Sequence, residues 1–316
     1  MKTRREFVKT SLAIGATLSL ANLNSLFAAE DSLPAPGNSS PEANQSPKPV
    51  LAAVRDGDRV SMLDKALAEF GGIKTFVKPG QTVLIKPNIG WNSTPERGAN
   101  THPDIVGHLV ALCLAAGAKS VSVFDNTCDQ WQLTYENSGI QKAVKDAGGI
   151  MVNGKDETLY REVKIPRGLK LKTARVHSLV LDSDVFINAP VLKHHSGAQM
   201  TAAMKNLMGC VWDRDVYHKV DLHQTIADFL TLRKPDLNII DAYHPMVRNG
   251  PRGKSADDCV EMKTLLASTD IVAVDAAAAK ILGLKPTDIG HIRLGGEMNL
   301  GRMNLENVDV RRLKLA

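Results

Sequence analysis

Thr82-Val83-Leu84-Ile85-Lys86-Pro87-Asn88 and Val121-Ser122-Val123-Phe124-Asp125-Asn126 bracket the stretch that decides the fold. Val83-Leu84-Ile85 is a compact apolar run of strand type, and Lys86-Pro87 reads as the turn that ends it. Between the two runs, Thr101 stands where a helix cap is expected, and Ile105, Val106, Leu109, Val110 and Cys113 recur at three- and four-residue steps. Gly117 supplies the stop for that helix. Strand, helix and strand in this order make a right-handed crossover, so the two strands are expected to lie parallel.

Working outward, the chain from Val50 alternates short β-rich runs with helix-length amphipathic segments. That alternation predicts an α/β fold with a mostly parallel twisted sheet, helices on both faces and a small β-rich excursion near 154–180. Further strands are expected at 185–187, 237–240 and 265–267, and helices near 135–147, 223–232 and 273–282. The stretch 199–209 is also expected to be helical, which would put Thr201 one turn before Lys205 on the same face. There is no internal repeat.

The chain has 316 residues and a formal charge of +5. Lys2, Arg4, Arg5 and Lys9 against Glu6 place +3 of it in the first 29 residues. The remaining +2, with few aromatic residues for stacking on bases, leaves no electrostatic footprint for nucleic acid. Cys113, Cys128, Cys210 and Cys259 form no Cys-x-x-Cys pair, so no iron-sulfur or zinc-knuckle motif is written here. Four such cysteines allow three complete disulfide pairings, which spacing does not separate.

The amino terminus reads as an address. Thr3-Arg4-Arg5-Glu6-Phe7-Val8-Lys9 resembles a twin-arginine signal, and the apolar run that follows is too short and too polar for a membrane span. Residues 1–29 are therefore expected to be a signal peptide that engages the twin-arginine translocation machinery. Cleavage is expected near Ala28 or Ala29, with an uncleaved anchor as the alternative, because Leu26-Phe27-Ala28-Ala29 lacks a small-x-small ending. Such a protein is periplasmic or otherwise exported. Residues 30–49 are rich in Pro, Ser and Asn and read as a tether, so the folded domain is expected over 50–316.

Polar residues follow several of the expected strands: Lys86 and Asn88, Asp125, Lys193-His194-His195, and Asp241. In open parallel sheets ligands bind at the carboxyl ends of strands, so these residues point to one cleft. Lys86, Lys193 and Lys205 together suit a small anionic ligand, a carboxylate or a phosphate. His195 and Asp125 are the candidate catalytic, proton-transfer groups. His102, His195 and Asp125 are candidate ligands for a divalent metal. Neighbouring residues on an extended segment point to opposite sides, so only one of His194 and His195 can face the cleft. The turn Val247-Arg248-Asn249-Gly250-Pro251-Arg252-Gly253 offers backbone amides and two arginines to an anion. Hydrolase signatures of the Gly-x-Ser-x-Gly and His-Glu-x-x-His types are absent from the sequence.

Lys86-Pro87-Asn88, Thr101-His102-Pro103, Lys193-x-His195, Lys205-Asn206-Leu207-Met208-Gly209 and Asn249-Gly250-Pro251 resemble, in order, the domain of unknown function 362. The resemblance implies a shared fold and a shared polar cleft containing Thr101, His102, Thr201, Asn206, Asn249 and Gly250 beside the residues above. It does not supply a reaction. Some relatives carry an added ferredoxin-like segment, which this sequence lacks. Two functional classes follow as expectations: a ligand-binding or enzymatic protein, or a non-catalytic accessory partner of a redox protein complex.

Overall fold

The computed structural model describes Leu26, Phe27 and residues 47–316. The twin-arginine pattern and most of the expected tether lie outside the described residues. Among the described residues there are twelve strands: β1 (Val50–Arg55), β2 (Thr82–Pro87), β3 (Ser120–Val123), β4 (Ile150–Met151), β5 (Tyr160–Lys164), β6 (Thr173–His177), β7 (Val185–Ala189), β8 (Val191–His195), β9 (Gln199–Thr201), β10 (Leu237–Met246), β11 (Thr264–Ser268) and β12 (Asp309–Lys314). The α-helices are α1 (Arg59–Ala68), α2 (Pro103–Ala115), α3 (Trp131–Asn137), α4 (Ile140–Asp146), α5 (Ser178–Asp182), α6 (Ala203–Asn206), α7 (Asp215–Val220), α8 (Leu222–Phe229), α9 (Ile271–Ile281) and α10 (Gly290–Glu297).

Ten strands form one twisted α/β sheet in the order β12-β1-β11-β10-β7-β2-β3-β4, with β8 beside β10 and β9 beside β8. The pairs β2–β3, β2–β7, β3–β4, β7–β10, β8–β10 and β1–β12 are parallel; β11 runs antiparallel to both neighbours. The chain winds from β2 through β3 to β4 on one side, while β7 and β10 lie on the other. This reversal beside β2 is the switch point at which doubly wound sheets open a crevice.

Strand alternation divides the apolar residues between two faces. Ala52, Val54, Val83, Ile85, Leu265 and Ala267 pack with α1 and α2. Leu51, Ala53, Leu84, Phe186, Ile240 and Leu266 pack with α8, α9 and α10 on the opposite face. Side-chain burial of this kind contributes roughly 25 cal/mol per Å² of apolar area and is what selects the register.

Three local expectations are corrected. The helix expected over 135–147 is two helices, because Gly139 adopts φ +73 between them and breaks the hydrogen-bond ladder. The helix expected over 199–209 is mostly something else: Gln199 has φ +64, and β9 pairs antiparallel with β8 before α6 begins at Ala203. The cap of α2 is His102, whose Nδ1 accepts from Asp104 N at 3.4 Å; Thr101 lies one residue earlier. The expected excursion is a separate two-stranded antiparallel sheet, β5–β6.

Candidate functional site

Parallel pairing of β2, β3 and β7 brings their carboxyl ends to one edge, where Lys86, Asn88, Asp125 and Asn188 converge. A cleft of about 370 Å³ opens there, lined on its inner side by Lys86, Asn88, Asp125, Lys193 and Asn206. His195, Thr201, Lys205, Arg214, His218 and Cys128 line it as well. Trp91, Met208 and Pro251 add apolar wall.

The floor is a closed polar network. Lys86 is fully buried; its Nζ lies 2.8 Å from Asp125 Oδ1 and donates to Asn206 Oδ1 at 2.9 Å and Pro87 O at 3.0 Å. Asp125 Oδ2 accepts from Ile89 N at 2.7 Å, and Tyr135 Oη donates to Asp125 O at 2.7 Å. Asn206 Nδ2 donates to Asn188 Oδ1 at 2.8 Å and Lys86 O at 3.1 Å. Taking either charge away from a buried pair costs about 3–5 kcal/mol, so this arrangement holds its geometry. Gly209 leaves the room for it. A Cβ there would stand 1.9 Å from Asp125 Oδ1 and 2.6 Å from Lys86 Nζ.

The β8–β9 hairpin supplies the next layer. Lys193 pairs with Thr201, and His195 with Gln199, across the two strands. Residues two apart share a face, so Lys193, His195 and Thr201 all line the cleft. His194 turns away, and its Nδ1 accepts from Gly250 N at 3.2 Å. Lys193 Nζ donates to Asn88 Oδ1 at 2.8 Å and to Ala99 O. Burial, helped by the Lys205 and Lys86 charges, draws Lys193 down to about 7.

His195 Nδ1 accepts from Gly197 N at 3.0 Å and Ala198 N at 3.1 Å, which leaves the proton on Nε2. Burial, then the Lys205 and Lys193 charges, pulls it down to about 3. A neutral Nε2–H donor is the role this geometry supports, and Asp125 has both oxygens engaged.

Two polar groups on the wall have no protein partner. Thr201 is 3% exposed, yet its Oγ1 makes no hydrogen bond among the described residues. Lys205, one residue before Asn206 on α6, has neither a hydrogen bond nor an ion pair among them. Burial first, and then Arg214 and Lys86, lowers it to about 8. Asp275 on α9 holds the start of α6 by accepting from Ala203 N at 2.6 Å and Met204 N at 2.9 Å.

Other expected site residues lie elsewhere. Thr101 Oγ1 donates to Ala189 O at 2.6 Å and accepts from Asn88 N at 2.9 Å, tying two strand ends together outside the cleft. Asp241 accepts from His102 N and from Tyr243 N, each at 3.1 Å, and lies 3.6 Å from Arg59 Nε. His102 and Asp241 are thus corrected from cleft residues to a separate knot with Arg59. Asn249 Nδ2 donates to Asp258 Oδ1 at 2.6 Å, and a Cβ on Gly250 would stand 1.9 Å from His194 O. The loop packs on the hairpin, Arg248 and Arg252 pair with Asp258 and Asp129, and only Pro251 reaches the cleft.

The candidate metal set is corrected with them, because His102 is not brought to His195 and Asp125. Among the described residues, no group of three or more His, Cys, Asp or Glu is arranged to hold a metal ion. The four cysteines are free thiols; Cys113, Cys210 and Cys259 are buried, and Cys128 is exposed at the cleft. Sequence reading missed Asn188, Cys128, Arg214 and His218. Asn188 alone carried a signal, as a polar residue closing the apolar run Val185-Phe186-Ile187.

Residues 83–280 match the family described as Domain of unknown function (DUF362). The chain is 30% identical over 252 residues to a thylakoid-associated protein of Synechocystis sp., across 74% of this chain and 73% of that protein. Two solved structures are similar at 9% identity. The lactate racemase apoprotein from Thermoanaerobacterium thermosaccharolyticum has a TM-score of 0.42, covering 79% of this chain and 56% of that one. A protein from Thermotoga maritima has a TM-score of 0.45, covering 76% and 60%. The chain therefore spans less than two thirds of either structure. By the family match over most of its sheet and by the Synechocystis relative, this chain belongs to the domain of unknown function 362 family.

Proposed function

We propose that the chain binds a small molecule bearing a carboxylate or phosphate in the cleft at the strand ends. The observation that carries this reading is Thr201 Oγ1, buried without a partner among the described residues, beside the half-buried Lys205 on a wall where Asp125 already neutralises Lys86. A buried hydroxyl without a partner costs about 1–3 kcal/mol, and an anion accepting from it offsets that cost. Lys193, the His195 Nε2–H and Arg214 add donors around the same space. Any proton transfer to or from the bound molecule uses Lys193 or Lys205, the groups that change charge near neutral pH.

The test is binding of inorganic phosphate, pyruvate and related small anions to the wild type and to Lys205→Ala by titration calorimetry. At least a tenfold loss of affinity in the variant is expected. Equal affinity would remove Lys205 from the site. The Arg4-Arg5 pattern and the thylakoid association of the Synechocystis relative support an exported or membrane-associated protein. No helix among the described residues is long and apolar enough to cross a membrane. Export is checked by fractionating cells that make the wild type or the Arg4→Lys, Arg5→Lys variant; retention of the wild type in the cytoplasm would count against it.

A further inference from the structure

Leu26 and Phe27 belong to the core of the domain. They are only 2% and 6% exposed and pack in the same apolar cluster as Leu51 and Ala53 of β1. Their seat is the β1–β12 end of the sheet, on one face. Along β1, residues 51, 53 and 55 share that face, and the parallel register places Arg312 of β12 beside Ala53. Both arginines grip the segment. Arg312 Nε donates to Leu26 O at 2.6 Å, and the Arg55 guanidinium lies 4.6 Å from the centre of the Phe27 ring.

This seat bears on processing. A cut after Ala28 or Ala29, where the sequence pattern would put it, separates both residues from the domain. The apolar cluster would lose two of its buried members, Arg312 Nε would lose its acceptor, and Arg55 would lose the ring it lies over. A cut after Ala28 falls one residue beyond the buried Phe27 and two beyond Leu26, whose carbonyl is engaged by Arg312. A peptidase needs several residues on each side of its bond in extended, accessible form, so cutting there requires local unfolding first.

We infer that Leu26 and Phe27 are a permanent part of the folded domain, and that the exported protein keeps its amino-terminal segment through Leu26 instead of being cut at Ala28 or Ala29. The inference rests on the export reading above, while the cleft and its ligand have no part in it. Whatever precedes Leu26 in the finished protein is then attached at the β1–β12 edge, and strand β1 is joined to it through residues 28–49.

The experiment is the intact mass of the full chain recovered from the membrane and periplasmic fractions of cells with a twin-arginine route, compared with Phe27→Ala. The expected mass retains Leu26 in the wild type. An amino terminus at Ala28, Ala29 or Glu30 would overturn the inference. The melting temperature of Phe27→Ala, made with the same full amino terminus, is expected to fall by about 5 °C or more. Its bond after Ala28 should also be cut faster by a broad-specificity protease. Because Phe27 lies at the end of the sheet, the variant should still fold; a variant that melts with the wild type and is cut at the same rate would equally overturn the inference.

Discussion

Lys193 and Thr201 face each other across the β8–β9 hairpin and line the same cleft, but their hydrogen bonding is opposite. Lys193 spends its ammonium on Asn88 and Ala99, whereas the Thr201 hydroxyl is buried without a partner. The protein therefore fixes one donor and leaves the other without a partner among the described residues. Thr201→Val separates these roles, since it keeps the shape and removes the hydroxyl. Stability should be unchanged or raised by up to about 1 kcal/mol, while anion affinity falls about fivefold or more. Denaturant titration and calorimetry on one preparation measure both, and a clear loss of stability would show that the hydroxyl has a protein partner after all.

Asp125→Ala leaves the Lys86 ammonium buried with no counter-charge. A loss of about 3–5 kcal/mol in unfolding free energy is expected, larger than for most single substitutions. Lys86→Met in the same background should recover part of it, because the stranded charge goes too. A double variant no more stable than Asp125→Ala would mean that Lys86 is not what makes the loss large.

Gly209→Ala tests the packing above that pair. The added methyl meets Asp125 Oδ1 and Lys86 Nζ at distances no Cβ tolerates, so either the pair or the turn Leu207–Cys210 must move. Reduced stability and loss of anion binding together are the expected result. Wild-type binding in this variant would show that the cleft does not depend on the pair.

The dependence on pH has a defined sign. Lys193 and Lys205 are drawn down to about 7 and about 8 from an ordinary 10.5, chiefly by burial. Between those values the unfolded chain holds more protons than the folded one, so these lysines make stability rise with pH above about 7. Asp275 runs the other way: burial raises it from 3.8 to about 7, the folded chain holds the extra proton, and its contribution falls as pH rises across that interval. His195, drawn down to about 3, opposes Asp275 below neutral pH, so the slope expected of the ligand-free protein is the rise from the two lysines above about pH 7. Anion affinity should decline between about pH 6 and pH 9 as the lysines discharge. Denaturant melts and calorimetry over that range check both, and a flat affinity profile would exclude the lysines as charge partners.

Much of the sheet was legible. The runs at Val83, Val121, Val185, Leu237 and Leu265 all became strands, because an apolar run of that length has few other ways to be buried. The Gln199–Gly209 stretch misled because Met200, Met204 and Met208 are spaced as on a helix. Pairing of Gln199–Thr201 with β8 outweighed that local preference. In the site, Lys86, Asn88, Asp125, Lys193, His195, Thr201, Lys205 and Asn206 were named from the chain and come together in the cleft. Arg214 and Cys128 were not, since nothing in their own neighbourhood marks them.

The amino-acid sequence alone determined that an α/β sheet forms and that the ends of β2 and β3 share an edge, because apolar periodicity and crossover handedness are properties of short stretches. Tertiary structure alone decided which polar groups remain available. His102, Asp241, Asn249 and Gly250 are consumed by partners such as Arg59, Asp258 and His194, while the Thr201 hydroxyl is left unmatched beside Lys205 on the cleft wall. It also decided that Leu26 and Phe27, which read as the end of a signal, are core. The physical reason is the same in each case: a hydrogen bond or a buried surface needs two sides, and the second side comes from residues far away in the chain.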